Sequence, residues 1–370
     1  MNKPSQPSNS TDTAKTTGKH TPRKSRPAAN RPAGRNMLFL LLFLTICIGV
    51  FLIWLYPVIM VGSEKEAVIR IPRNATAQNV YDSVSAQLGP DYAKRVIQLS
   101  KIRGADFSKR AGAYKIPEGE NALSAMRRLT SGAQTPVRIT INGFRNLELL
   151  EERISRKMEF PIDSLRAVLN DTAFMAQYGL RPEQALALFV DDTYEVYWTT
   201  SARETVAKIA ENYRYLWNDA RKLRARELGV SPVDMMIIAS IADQETNNEK
   251  EKGVVGRLYI NRLHNNMKLQ ADPTVRFALN DFTIQRISKN DLKVESPYNT
   301  YLHKGLPPGP IRTTGFKTVM SILNSEPHGY LYMCAKEDFS GTHNFATTYE
   351  EHLRNATRYQ AALDMRGIKR

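Results

Sequence analysis

"SPVDMMIIASIADQETNNE", residues 231–249, decides how the chain is read. Ser231, Pro232 and Asp234 form a helix start. A hydroxyl caps free N–H groups, a proline is tolerated in the first turn, and an acid follows three residues on. The run "MMIIASIA" is then apolar on every side, which is the pattern of a helix enclosed by other structure. Glu245 comes four residues after Ile241 and seven after Ile238, so it shares their face. A carboxyl there has two readings. The helix end turns into solvent and the acid serves solubility, or the acid is held out of water to do chemistry. In the second case desolvation raises its pKa and keeps a proton on it near neutral pH, as a general acid requires. Asp243 points off that face, and Glu249 lies beyond the helix end expected at Asn247-Asn248.

Outward from this helix, the 370 residues are enough for two domains, with 42% hydrophobic content. The net charge of +15 is unevenly placed. Residues 1–35 carry eight basic residues and one acid, Asp12, in a background of Ser, Thr, Pro and Asn. Such a tail cannot bury enough apolar area to fold and is expected to be disordered. "MLFLLLFLTICIGVFLIWLY", Met37–Tyr56, follows without a charge. At about 1.5 Å per residue it spans roughly 30 Å, the hydrocarbon thickness of a bilayer. A cleaved signal peptide would have a shorter apolar core and a small-x-small site. A retained single-pass anchor over 36–60 is therefore expected, with the basic tail cytoplasmic and the remainder exported. The basic balance suits anionic lipid or wall polymer; nucleic acid is not expected as a partner.

Cys47 falls in the anchor and Cys334 in the exported part, so no disulfide between them is expected. With no CxxC, no HExxH and scattered histidines, neither a metal nor a cofactor is expected.

The exported part alternates at first. "EAVIRIP" from Glu66 reads as a strand, "NATAQNVYDSVSAQLG" and "DYAKRVIQLSKI" as helices separated by Gly89-Pro90, and "AGAYKIP" as a second strand. "NALSAMRRLTSG" is a helix closed by Gly132, and "VRITI", Val137–Ile141, is a strand. Residues 61–142 are read as one small α+β domain. From 143 to 370 the chain reads as mainly helical with long loops, beginning with the amphipathic "NLELLEERISRKM". Gly253 and Gly256 allow close helix packing, and Asn261 and Arg262 interrupt an apolar helix. "LQADPTV" turns at Asp272-Pro273. "SPYNTYLHKGLPPGPI" is a Pro- and aromatic-rich loop with Tyr298, Asn299 and Tyr301, and "GTHNFATTYEEH" lies near the end. Loops with rings and amides suit a polysaccharide groove, and they equally suit a stiffened surface loop.

Over "ASIADQET", "INRL…MKLQADPTV", "YNTY…GLPPGPI" and "HNF", in that order, the sequence resembles the YceG-like, or endolytic murein transglycosylase, family. The resemblance covers the anchor and the whole exported region. It implies a membrane-proximal domain similar to LysM modules over 61–142 and a catalytic domain over 143–370. By it Glu245 is the catalytic acid, and Thr246, Gln270, Asp272, Tyr298, Asn299, Tyr301, His343 and Asn344 are the substrate-binding candidates. The sequence departs from the family pattern at Asp243, where the family has Glu, at Gln244, where it has a basic residue, and at Asp191, where it has Pro. Asn142 stands where the family often has an acid.

The implied reaction cuts the β-1,4 bond between N-acetylmuramic acid and N-acetylglucosamine within peptidoglycan strands, leaving 1,6-anhydro ends. The implied location is the inner membrane with the catalytic domain outside the cytoplasm, and wall synthases are the implied protein partners. A membrane-anchored scaffold that grips glycan without cutting it is the alternative from another class.

Overall fold

In the computed structural model, which describes residues 33–284 and 286–367, the chain divides into two units, 1–57 and 58–370. The basic tail expected to be disordered lies almost wholly outside the described residues. The first unit is represented by helix α1, Ala33–Met60. Its Asn36–Met60 stretch is apolar and long enough to cross a membrane. Its leucines, isoleucines and phenylalanines, apart from half-buried Leu55, are exposed. A helix satisfies its own backbone groups, so such a surface suits lipid.

The second unit holds two apolar cores. The smaller one begins with β1, Ala67–Ile71, whose alternation buries Ala67, Ile69 and Ile71. Helices α2, Ala77–Leu88, and α3, Pro90–Ile102, lead to β2, Gly112–Ile116, which pairs antiparallel with β1, placing Ile69 opposite Tyr114. Thr76 and Asn79 cap α2 reciprocally. Gly89, at φ 88°, then ends α2 and starts α3 with no intervening residue, a backbone only glycine adopts freely. Helix α4, Ala122–Ser131, closes this core and stops at the left-handed Gly132.

The strand expected to finish the small domain goes elsewhere. β3, Val137–Ile141, pairs antiparallel with β4, Asp192–Val196, and buries Ile139 and Ile141 in the larger core. Its alternation fixes which face is buried, and the sheet that face joins is set by a partner distant in sequence. The two cores are tied together where Arg73 meets Glu159, its backbone N–H donating at 2.9 Å and its guanidinium pairing at 3.3 Å.

The larger core is helical: α5 (Leu147–Ser155), α6 (Ile162–Leu169), α7 (Thr172–Ala176), α8 (Ala202–Leu216), α9 (Asp219–Glu227), α10 (Pro232–Glu245), α11 (Lys252–His264), α12 (Asp272–Leu279) and α13 (Phe316–Leu323). α10 runs through its centre, and every residue from Met235 to Asp243 is buried. Ser231 and Asp234 form the reciprocal cap read from the sequence. The two glycines of α11 let it press on α13. A Cβ at Gly253 would lie 2.6 Å from the Ser321 carbonyl oxygen, and one at Gly256 2.5 Å from the Ile322 side chain.

The chain ends in more order than loop-rich sequence suggests. β5, Tyr332–Ala335, and β6, His343–Ala346, form an antiparallel hairpin, and α14, Tyr349–Met365, packs on it. The whole is a mixed, helix-rich chain with three two-stranded sheets among the described residues.

Candidate active site

α10 is buried from Met235 to Asp243, and its half-buried last residue, Glu245, opens onto a cavity. Glu245 lines a cavity of ≈ 460 Å³ walled by α10, α11, the turn before α12, the β5–β6 hairpin and the start of α14. Tyr259 of α11 donates its hydroxyl to Glu245 Oε1 at 2.8 Å. Burial raises the Glu245 carboxyl to a pKa of about 7, with the negative charge of Asp272 adding to the rise. The Tyr259 hydrogen bond and the cations Arg276 and Arg262 pull it part of the way back. Near neutrality the group is thus poised between acid and base. Burial also holds the Tyr259 phenol far above its usual range, so it stays a donor.

The surrounding side chains are fixed by contacts between segments distant in sequence. Arg262, three residues after Tyr259 and on the same face of α11, donates to the Leu269 carbonyl at 2.5 Å and to Gln270 Oε1 at 3.2 Å. Gln270 adopts a left-handed φ of 51° and is held there as its N–H donates to the Thr300 carbonyl at 3.2 Å. The Ala271 N–H donates to Thr300 Oγ1 at 3.0 Å, and Tyr301 donates its hydroxyl to Asp272 Oδ1 at 2.6 Å. The "LQAD" turn and the "NTY" loop therefore form one wall. On another side Glu251 accepts the His343 backbone N–H at 2.9 Å, meets its Nδ1 at 3.0 Å, and accepts the Thr246 hydroxyl at 3.2 Å. It binds the hairpin to the end of α10.

Asp243 faces the other way. Lys252 Nζ pairs with it at 2.8 Å, Thr318 donates to it at 2.7 Å, and Thr314 donates to its other oxygen. Burial alone would lower the Lys252 pKa, but its hydrogen bonds to Asp243 and Glu249 outweigh this and raise it. Glu249, beyond the helix end, pairs with Lys252 at 2.6 Å and Lys317 at 3.3 Å.

Of the residues singled out in the sequence, Glu245, Gln270, Asp272, Tyr301 and His343 line the cavity together. Thr246, Tyr298, Asn299 and Asn344 do not. Thr246 is buried and caps α10. Tyr298 packs on Phe277 with ring centroids 4.6 Å apart. Asn299 is fully buried and donates to the carbonyls of Leu292 and Val294, each at 2.9 Å. Asn344 donates to Glu337 at 2.7 Å. The cavity also holds Tyr259, Arg262, Tyr332, Tyr349 and His352, none of them among the site candidates read from the sequence, although Arg262 stands out there as a charge in an apolar helix. A tyrosine and an arginine three apart in an otherwise apolar helix was a usable signal for the first two; the others come from elements read as loop. Among the described residues, no group of three or more His, Cys, Asp or Glu is placed to hold a metal ion.

Residues 69–358 match the sequence model of the YceG-like family. Among curated proteins the chain is 26% identical over 274 residues to the endolytic murein transglycosylase of Bacillus subtilis (strain 168), covering 70% of this chain and 75% of that one. It is 25% identical over 141 residues to the endolytic murein transglycosylase of Streptococcus pneumoniae serotype 2 (strain D39 / NCTC 7466), covering 37% of this chain and 25% of that one. Among solved structures it resembles in fold a YceG-like protein from Listeria monocytogenes, with a TM-score of 0.51 and 23% identity over 79% of this chain and 99% of that one.

Proposed function

The chain belongs to the YceG-like family, and from that premise we propose that it is a peptidoglycan lytic transglycosylase that cuts glycan strands internally. The observation that carries this reading is Glu245: a carboxyl at the end of a buried helix, in a cavity, with a pKa of about 7. Both curated relatives described above bear the name endolytic murein transglycosylase, which supports it.

In the proposed mechanism, protonated Glu245 gives its proton to the glycosidic oxygen as the bond from C1 of N-acetylmuramic acid breaks. The resulting carboxylate takes the proton from the 6-hydroxyl of the same sugar, and that oxygen closes on C1. The products are an N-acetylglucosamine 4-hydroxyl end and a 1,6-anhydromuramyl end, with no water consumed and the carboxyl restored. Tyr259 holds the carboxyl in one orientation and stabilises its charged form midway. General acid–base help of this kind contributes about 10²–10⁴-fold.

The 61–142 region is proposed as a LysM-like wall-binding module. Its support is a small core formed by this region up to α4, without β3, none of whose residues line the Glu245 cavity. α1 serves as the anchor that holds the enzyme at the inner membrane, with the tail cytoplasmic and the catalytic region outside. Cutting nascent strands there would terminate their elongation, beside the synthases that make them.

One observation favours a second reading. Asp272 is another carboxyl in the cavity, and two carboxyls flanking a sugar suit hydrolysis. Digestion of sacculi with the full-length protein in detergent, followed by mass spectrometry, separates the readings. Ends lighter by one water support the transglycosylase, reducing ends support the hydrolase, and intact strands that still bind support a non-catalytic scaffold.

A further inference from the structure

The cavity has a second wall that the proposed chemistry does not use. β5 and α14 contribute Tyr332, Tyr349 and His352, apart from the α10 and α11 wall that carries Glu245 and Tyr259. The Tyr332 and His352 rings stack with centroids 5.4 Å apart and 22° between planes. Tyr349 sits 5.8 Å from Tyr332 and 6.1 Å from His352. The Arg262 guanidinium lies 5.5 Å from the centre of the Tyr332 ring and holds that ring from the catalytic side.

Three features do not fit a purely structural cluster. Tyr349 is 59% exposed although it lines the cavity, so it adds little to the core. Neither the Tyr332 nor the Tyr349 hydroxyl makes a hydrogen bond among the described residues, and the buried His352 Nδ1 has no partner there. Burial, helped by the Arg262 charge, holds His352 below its usual pKa, so its ring is neutral.

A β-linked pyranose has an apolar face of axial C–H groups and a rim of hydroxyls. Flat neutral rings cover the face, and unpaired phenol hydroxyls meet the rim. We propose that Tyr332, Tyr349 and His352 form a stacking subsite for a sugar ring of the glycan strand, next to the sugars at the cleaved bond. The subsite rests on the reading of the cavity as a glycan site. It makes productive binding depend on a sugar beyond the scissile pair, so very short fragments are poor substrates.

The test uses the full-length protein in detergent and purified, uncrosslinked glycan strands. In a Glu245→Gln background strands stay uncut, and affinity is read directly. Adding Tyr349→Ala weakens binding about tenfold, the equivalent of about 1.4 kcal/mol. Tyr349→Phe, which keeps the ring, recovers most of the loss. In the active protein Tyr349→Ala raises KM on long strands and narrows the preference for long over short ones. Tyr349 is exposed at the first position of its helix, so melting curves of the variants should match the parent. Unchanged affinity and unchanged length preference in Tyr349→Ala overturn the subsite. Should the parent leave strands intact while Tyr349→Ala still weakens binding, the subsite stands and the cleavage reading falls.

Discussion

Behind the end of α10 lies a polar cluster, and in front of it lies the cavity. The two regions treat acids two residues apart in opposite ways. Asp243 is met by a lysine and two threonine hydroxyls, which satisfy its oxygens. Glu245 is met by one tyrosine hydroxyl, and its cations act from farther off. The first arrangement joins α10 to α11 and α13. The second leaves a carboxyl that can hold or release a proton near neutral pH. Burial alone therefore does not make an acid catalytic; the partners supplied by neighbouring elements decide whether a buried carboxyl is a fastener or a proton carrier.

The largest expected effect comes from removing the proton carrier. Glu245→Gln keeps the shape and the Tyr259 contact but has no proton to give. Release of anhydromuramyl products, measured by mass spectrometry, should fall at least ~10²-fold while the protein stays folded. If the comparison holds, Asp243→Asn should leave turnover per folded molecule within a small factor and lower stability instead.

Next in size is the fastener itself. Lys252 and Asp243 have side chains only 12% and 6% exposed. Lys252→Met leaves a buried carboxylate without its cation, which costs about 3–5 kcal/mol of stability. Chemical denaturation should show the loss as a lower midpoint. A loss under about 1 kcal/mol would place the pair among surface-like ion pairs and erase the contrast with Glu245.

The sequence made one side of this contrast legible and not the other. The helix, its Ser231 cap and the burial of its faces follow from local pattern, because capping and periodicity are short-range. That Glu245 shares the buried face follows from its spacing to Ile241, while its role as the acid is implied only by the family resemblance. The fate of Asp243 does not follow from local spacing, since Lys252, Thr314 and Thr318 reach it from segments beyond its own helix. For the same reason the sequence placed β3 in the small domain although its partner is β4. Asn299 and Tyr301 stand two residues apart in the same "YNTY" stretch that carries the family resemblance. The Asn299 amide is spent on the loop's own carbonyls while Tyr301 reaches the cavity, and nothing in the local sequence tells the two apart. β5 and β6 are four residues each with mixed polarity, too short for alternation to show. Glu251 reads as one more charged residue after a helix, yet it links Thr246 to His343.

A smaller effect should appear in stability against pH. The Glu245 carboxyl is raised from a reference of 4.5 to about 7, so between these values the folded chain holds more protons than the unfolded one. Stability contributed by this group is then fully present below 4.5 and is lost as pH rises through 7, by about 3 kcal/mol in all. Glu245→Gln removes the titration. Unfolding free energies of wild type and variant should therefore diverge in favour of the variant between pH 4.5 and 7 and run parallel above. Parallel curves throughout would mean that the carboxyl is not desolvated, and the two sides of α10 would differ less than their contacts suggest.

The smallest effect isolates the single hydrogen bond on the cavity side. Tyr259 lowers the Glu245 pKa by stabilising the carboxylate, against the larger upward push of burial. Tyr259→Phe keeps the ring and the packing but removes the donor. The carboxyl should hold its proton to higher pH, so the alkaline limb of kcat/KM moves upward. The cations Arg276 and Arg262 still lower the pKa of the same carboxyl and oppose that movement, while Asp272 adds to it. The acid step is then kept, while the return of the proton from the 6-hydroxyl gains a stronger base that is less often free. Turnover at neutral pH should fall modestly, about tenfold if the bond contributes the ~1.5 kcal/mol usual for a charged acceptor. A fall with no movement of the pH limb would assign Tyr259 to the substrate and leave the position of Glu245 to packing alone.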